Sequence, residues 1–328
     1  MKRNRWIIIG LVFCLLLTGC GRKKAGEEGA KEISKDAVMM AVGEDNVSAQ
    51  EAMAYLYLLK QQYEAGMGEE VWSYQLSEDK TLEDYAREAV ISNLTQLKIM
   101  CQQAAKEGIE LDEEESYEAK KAAQQIIKTA GKADRERFRL EEEVLTRIYA
   151  DNTLAAKLFD VTTGQVDTNI TDEEARQITV QYLLVSTGDM DKAQKEVARE
   201  QAEKLLKEAK KASSFLNFAT TNSDSEEIEL TFGREHLPEG FGQEAMELRT
   251  GEFSPVIEGE KGYYIVYCIA DFDEDATTNR KEVIIEERRD KLFREKYKEW
   301  SENYKVVIST ALWDELLFTP KNALSKQN

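Results

Sequence analysis

The far end of this chain poses a packing problem. Phe293, Tyr297, Trp300 and Tyr304 recur at heptad-like spacing, followed by a short β-like run, Lys305 to Ile308, and an amphipathic turn through Leu312, Trp313, Leu316 and Leu317. One helix and a tail cannot enclose a core by themselves. The apolar helical faces that could receive them lie far upstream, so the C-terminal segment is expected to fold back on the N-terminal helices. Everything between then becomes an insertion into a split helical domain.

The upstream faces run from Ser48 to about Phe159. Ser48 with Glu51 reads as a capping box opening a helix that carries Met53, Leu56, Leu59 and Tyr63. Thr81 opens a longer one with Leu82, Ala86, Val90, Leu94, Leu97, Cys101 and Ala104 on one face, stopped by Gly108. Asp112 caps an acidic, Ala-rich helix, and a further helical stretch is expected from Asp134 through Phe138, Val144, Leu145, Ile148, Leu154 and Leu158. The texture changes near Gly164. Thr171 and Glu174 suggest another capping box before a buried strand, Ile178 to Val185. A long helix from Asp189 to Lys211, a short one with Phe215, Phe218 and Ala219, a turn-rich stretch and a closing strand from Tyr263 to Ile269 complete the block. The expected fold class is α+β: a split helical domain holding a small antiparallel sheet flanked by helices.

The first twenty residues read as an address. Lys2, Arg3 and Arg5 precede an apolar run from Trp6 to Leu17, too short for a comfortable bilayer span of about 20 residues. Leu17-Thr18-Gly19-Cys20 resembles the bacterial lipobox, in which Cys20 would be diacylated and become the mature N-terminus; two acyl chains anchor stably where one is marginal. Gly21 to Asp36 is nearly free of apolar residues and reads as a tether. The expected organisation is a signal peptide over 1–19, a tether over 20–40, a helical domain over 41–170, the α+β block over 171–275, a C-terminal helix and tail over 276–320 that complete the helical domain, and a disordered tail over 321–328.

Charge and rare residues exclude several functions. With 44 Lys+Arg against 63 Asp+Glu the net charge is −19, which disfavours nucleic acid as a partner. A single histidine, His236, rules out a multi-histidine metal centre or paired imidazoles, and neither metal nor cofactor is expected. His236 itself reads as an exposed loop residue. Beyond the anchor, Cys101 and Cys268 are read as buried small hydrophobes, since nothing in their spacing supports a disulfide.

The central block carries the specific signal. Phe232-Gly-Arg-Glu-His-Leu237-Pro-Glu-Gly-Phe241-Gly-Gln-Glu-Ala-Met-Glu-Leu248, followed by Gly251-Glu252-Phe-Ser254-Pro-Val256, resembles the second half of a parvulin-type peptidyl-prolyl isomerase. Gly262-Tyr-Tyr-Ile-Val266 is similar to that family's closing strand and Gln181-Tyr-Leu-Leu-Val185 to its opening one. Phe215-Leu-Asn-Phe-Ala219 and Ser223-Asp-Ser225 match further family elements. With the lipobox-like leader and flanking helices, the layout resembles extracytoplasmic foldases of the PrsA and SurA type.

This resemblance implies a site without a nucleophile. Rotating an amide costs about 18–20 kcal/mol, and X-Pro bonds are natural substrates because their isomers are close in energy. The catalyst needs an apolar socket for the proline ring and a polar surround that favours the twisted amide. The resemblance places the socket at Leu237 and Phe241. The polar positions depart from the family: Tyr182 and Tyr264 stand where it carries histidines, Ser225, beside Asp224, stands at its Cys or Asp position, and the paired glycines before Phe232 are missing. Phenols can hydrogen-bond, yet with a reference pKa of about 10 they do not share protons near neutrality as imidazoles do.

The reading that follows is a membrane-anchored foldase or chaperone on the outer face of the bacterial cell membrane. It would bind unfolded or newly exported proteins, including X-Pro segments, through a helical cradle and a degenerate isomerase module. An active isomerase on the same scaffold is the alternative, and a solute-binding lipoprotein a more distant one, since that class needs two lobes of alternating strands and helices. Foldases of this layout can form homodimers through the helical domain, though no stripe here demands it.

Overall fold

The computed structural model describes residues 33–77 and 80–316. The expected signal peptide, the lipidation site at Cys20 and the tail over 321–328 lie outside these residues. Two units emerge: residues up to 164 together with those from 293 onward, and residues 165–292.

The first unit opens with strands β1 (Val38–Val42) and β2 (Asp45–Ser48), an antiparallel hairpin turned at Gly43 with φ +58°. The expected tether over 20–40 therefore stops short, because Met39 and Met40 are fully buried in the first core. Helix α1 (Ala49–Met67) begins at Ser48, whose hydroxyl accepts the Glu51 N–H at 3.2 Å. The expected reciprocal half of that box is absent. The Glu51 carboxylate instead lies buried, 2.8 Å from the Lys98 ammonium, since a buried charge needs an opposite partner more than a helix end needs a second cap. A 3-10 turn (Glu69–Ser73) and a small hairpin, β3 (Gln75–Ser77) with β4 (Lys80–Thr81), lead into α2 (Leu82–Lys106). Thr81 and Asp84 form a full capping box there. Helix α3 (Glu113–Thr129) is capped likewise by Asp112 and Glu115.

The single helical stretch expected from Asp134 to Leu158 is two helices, α4 (Lys132–Arg137) and α5 (Glu142–Thr163). The chain breaks between them at Arg139, φ +51°, where Phe138 and Leu140 both turn into the core.

The second unit is built on a four-stranded antiparallel sheet, with β5 (Gln177–Ser186) in the interior. A short helix α6 (Asp172–Ala175) precedes β5. Thr171 caps it, but Glu174 does not complete a box; its carboxylate takes the Arg288 guanidinium at 2.6 Å. Helices α7 (Lys192–Ala209) and α8 (Phe215–Asn222) follow, then β6 (Glu229–Gly233), α9 (Gly242–Met246), β7 (Ile257–Gly259) and β8 (Gly262–Ala270), in sheet order β6-β5-β8-β7. Both faces of β5 are covered: every residue from Gln177 to Val185 is buried, apolar residues alternating with Thr179 and Gln181 at first and then running without a break from Tyr182 to Val185. Leu183 and Val185 pack with β8 residues Tyr263 and Ile265 against α7 and α8, while Ile178, Val180, Tyr182 and Leu184 face α9 and the loop before it.

Helix α10 (Glu274–Ser301) starts in the second unit and supplies Phe293 and Trp300 to the first. Strand β9 (Val306–Ile308) pairs antiparallel with β1, Met40 opposite Ile308 and Val42 opposite Val306, giving the sheet order β2-β1-β9. After it, α11 (Thr310–Asp314) buries Trp313, whose indole N–H donates to the Met39 carbonyl at 3.0 Å. Phe293 meets Phe159 at 4.9 Å between ring centroids, and Lys106 sits over the Tyr304 ring. The stranded C-terminal segment thus finds its core in the first unit. That unit is helical around a small sheet, and among the described residues every strand pair is antiparallel.

Cys101 and Cys268 are both free, the first half-buried and the second buried. Among the described residues no helix is long and apolar enough to cross a membrane, and no cluster of His, Cys, Asp and Glu could hold a metal.

Candidate functional site

The site forms on the sheet face opposite α7 and α8. Alternation along β5 sends Tyr182 to this face, and antiparallel pairing of Leu184 with Tyr264 places the second phenol on the neighbouring strand. Phe241, just before α9, closes over both: its ring centroid is 4.9 Å from Tyr182 and 5.1 Å from Tyr264, and the two phenol rings are 6.3 Å apart. Phe232 on β6 adds an edge contact to Phe241 at 6.4 Å. Tyr182, Tyr264 and Phe241 are 8%, 4% and 3% exposed, so the rings pack as a continuous aromatic layer.

Ser225 reaches this layer because the segment between α8 and β6 is fastened along β5. The Ser223 hydroxyl accepts the N–H groups of Leu184 and Ser225, the Asp224 N–H donates to the Leu184 carbonyl at 2.8 Å, and the Ile228 carbonyl accepts the Tyr182 N–H at 2.8 Å. Ser225 Oγ then lies 3.1 Å from the Tyr182 hydroxyl, where either oxygen can donate. Asp224, its neighbour in the motif, is used otherwise: its carboxylate accepts the Ser186 N–H at 2.7 Å.

Two glycines let the backbone close around Tyr264. A Cβ at Gly240, φ +88°, would stand 2.9 Å from Tyr264 Cε2, and one at Gly259 would meet the same atom at 2.9 Å and the Gly240 Cα at 2.7 Å. Burial, then Tyr182 and Glu239, push the Tyr264 phenol above its ordinary value, so it stays protonated through neutrality and beyond. Gly240 and Glu239 lie inside the recognised motif without a role assigned to them; the signal in the sequence is a glycine directly before the aromatic anchor.

Of the residues singled out in the sequence, Tyr182, Ser225, Tyr264 and Phe241 come together. Leu237 does not join the buried layer: it is 43% exposed on the loop between β6 and α9. His236 is exposed on the same loop. The loop is held to α10 by Arg280, whose guanidinium lies 2.9 Å from Glu235 and 2.8 Å from Glu287. At the other end of β5, Asp273 Oδ2 accepts the Thr179 hydroxyl at 2.7 Å while Oδ1 accepts the Ala276 N–H, tying the start of α10 to the sheet.

An antiparallel sheet with paired helices on one face and an aromatic layer under a short helix on the other is the frame of a parvulin domain. Residues 182–270 match the family of the PPIC-type PPIASE domain, and residues 2–149 match the SurA-like N-terminal domain. The chain therefore carries a PPIC-type parvulin domain inserted behind a SurA-like N-terminal domain. Among curated relatives, the foldase protein PrsA of Caldanaerobacter subterraneus subsp. tengcongensis is 24% identical over 333 residues, spanning 94% of this chain and 100% of the relative. Solved structures similar to this chain include the foldase protein PrsA of Lactococcus lactis, with 17% identity, coverage of 84% of this chain and 96% of that one, and a TM-score of 0.36. PrsA of Bacillus subtilis gives 14%, 89%, 97% and 0.26 in the same order.

Proposed function

We propose that this protein is a PrsA-like foldase that binds unfolded exported polypeptides, and that its parvulin domain acts as a binding module whose isomerase chemistry has been weakened or lost. The observation that carries this reading is the aromatic layer. Both family histidine positions hold phenols, Tyr182 is hydrogen-bonded to Ser225, and Tyr264 is held protonated. The rings themselves are buried, so a proline segment would meet this layer at its edge, where the exposed Leu237 offers apolar contact and the Tyr264 hydroxyl a neutral hydrogen bond, without a proton-sharing pair.

The first unit supports the binding half of the reading. An open groove of about 780 Å³ runs along the end of α1, the 3-10 turn and the β3 hairpin, lined by Tyr63, Met67, Val71, Tyr74, Leu76 and Leu82. Met67, Tyr74 and Leu76 leave large apolar surfaces open to solvent there, as a site for unfolded chain requires. A lipid anchor on Cys20 would hold both units at the outer membrane face, where exported chains emerge.

The test pairs two assays on the purified chain. Suppression of aggregation of a reduced, unfolded client, with little or no acceleration of a proline-peptide isomerisation, is the expected outcome. Fast isomerisation would favour an active enzyme on the same scaffold, and failure in both assays would sink the foldase reading.

A further inference from the structure

The two phenols of the site differ in what they have left to offer. The hydroxyl of Tyr182 is engaged by Ser225, whereas that of Tyr264 makes no hydrogen bond among the described residues, although the residue is only 4% exposed. The ring is packed deeply while its unpartnered hydroxyl oxygen is not among the fully buried polar atoms, so it opens to solvent and can take one polar contact from an incoming group. The backbone at Gly240 lies against the hydroxyl end of that ring, since a Cβ there would be 2.9 Å from Cε2 and 3.4 Å from Cζ. This brings the preceding residue, Glu239, to the same end.

Glu239 is exposed and has no ion pair among the described residues. Glu226 and Glu227, directly after Ser225, are exposed and likewise without an ion pair, and the turn between β7 and β8 sets Glu260 beside Lys261. On the β6–α9 loop the Arg234 charge is paired with Glu173 at 3.0 Å. Of these carboxylates Glu239 is the one whose charge acts on the Tyr264 phenol, and it is free to take a cation.

We propose that Tyr264 and Glu239 form a subsite that selects a lysine or arginine flanking the proline of a bound chain. The phenol donates to a backbone carbonyl of the segment, and the Glu239 carboxylate pairs with the neighbouring cation. This inference rests on the reading of the site as a binder of proline segments and specifies which segments it takes. The raised Tyr264 pKa fits the role, because a protonated phenol remains a donor.

The experiment is a titration of the purified chain with three blocked tetrapeptides, Ala-Lys-Pro-Ala, Ala-Ala-Pro-Ala and Ala-Glu-Pro-Ala, repeated with the charge placed after the proline and followed by NMR shifts of the Tyr264 region. Exposed ion pairs contribute up to about 1 kcal/mol, so the lysine peptide is expected to bind roughly five-fold more tightly than the glutamate peptide at low salt. The gap should close at roughly 0.5 M salt, where screening is short-ranged. Glu239→Gln should abolish the preference and leave the alanine peptide unaffected, and Tyr264→Phe should weaken all three alike. Equal binding of the three peptides, or a preference that survives Glu239→Gln, overturns the inference and leaves the proline-binding reading standing. No binding by any peptide removes both.

Discussion

Tyr182 separates packing from hydrogen bonding at the site. Its ring contacts Phe241 at 4.9 Å and its hydroxyl reaches Ser225 at 3.1 Å. Tyr182→Phe keeps the first and removes the second, so it should cost about 0.5–1.5 kcal/mol in urea unfolding. Tyr182→Ala opens a cavity under Phe241 and should cost about 3–5 kcal/mol; equal losses from the two variants would mean the ring does not hold the layer. Lys98 presents the opposite case, a buried charge. Its ammonium lies 2.8 Å from both Glu51 and Asp151. Burial alone would lower its pKa, but the two carboxylates outweigh that and hold it well above the ordinary 10.5. Its contribution to stability is therefore complete below pH 10.5 and is lost only as pH rises through the raised value. Lys98→Met leaves two carboxylates facing each other and should destabilise by roughly 3–5 kcal/mol in equilibrium unfolding, with part recovered on adding Glu51→Gln.

The start of α10 carries an acid-sensitive joint. The Asp273 carboxyl is held below 3.8 by the Ala276 N–H first and the Thr179 hydroxyl second. A depressed carboxylate stabilises above its unfolded value, and that contribution disappears as pH falls below 3.8 through the folded one. Asp273→Ala should cost about 0.5–2 kcal/mol at neutral pH, as for a lost helix cap, and should flatten acid unfolding of the second unit as followed by circular dichroism. The groove beside β3 makes a separate prediction: Tyr74→Ser and Leu76→Ser together should reduce client holding in the aggregation assay while leaving the melting temperature within a few degrees, since both residues are exposed. The elements differ in how openly the sequence announces them. Strand β5 was legible because its apolar residues alternate from Ile178 to Tyr182 and then run unbroken to Val185, where both faces are buried. The hairpin of β1 and β2 was not, because Val38 to Val42 follows a tether-like stretch and its burial depends on β9, 260-odd residues later. The break between α4 and α5 depends on a positive φ at Arg139, which that residue type does not signal. At the site, the proximity of Tyr182, Ser225, Tyr264 and Phe241 could be read from motif register, which fixes strand partners. The exposure of Leu237 could not, since it is set by the path of the loop held by Arg280.

Closing a domain with a segment from the far end of the chain makes the fold depend on a few C-terminal side chains. Trp313 is the most telling of them. It is 2% exposed, packs in the first core, and donates its indole N–H to the Met39 carbonyl on β1. The same carbonyl receives the Ser309 N–H, and the Gly43 N–H bonds to the Lys305 carbonyl, so β9 and α11 are fastened to the hairpin at both ends. Gly43 itself sits against the Gln102 and Tyr304 side chains, where a Cβ would come within 2.6 Å and 2.8 Å. Removing the Trp313 ring should cost about 3–5 kcal/mol, a large share of the 5–15 kcal/mol that holds a typical domain. Because the core it serves belongs to the first unit, the loss should be confined to that unit, although its residues come from both ends of the chain. Hydrogen exchange on Trp313→Ala is expected to accelerate at Met39 to Val42, along α1 and in β9, with β5 and β8 protected as before. Uniform acceleration across all these strands would show that the two units unfold as one, and no change at Met39 to Val42 would show that the returning segment is an appendage of the first core and not part of it.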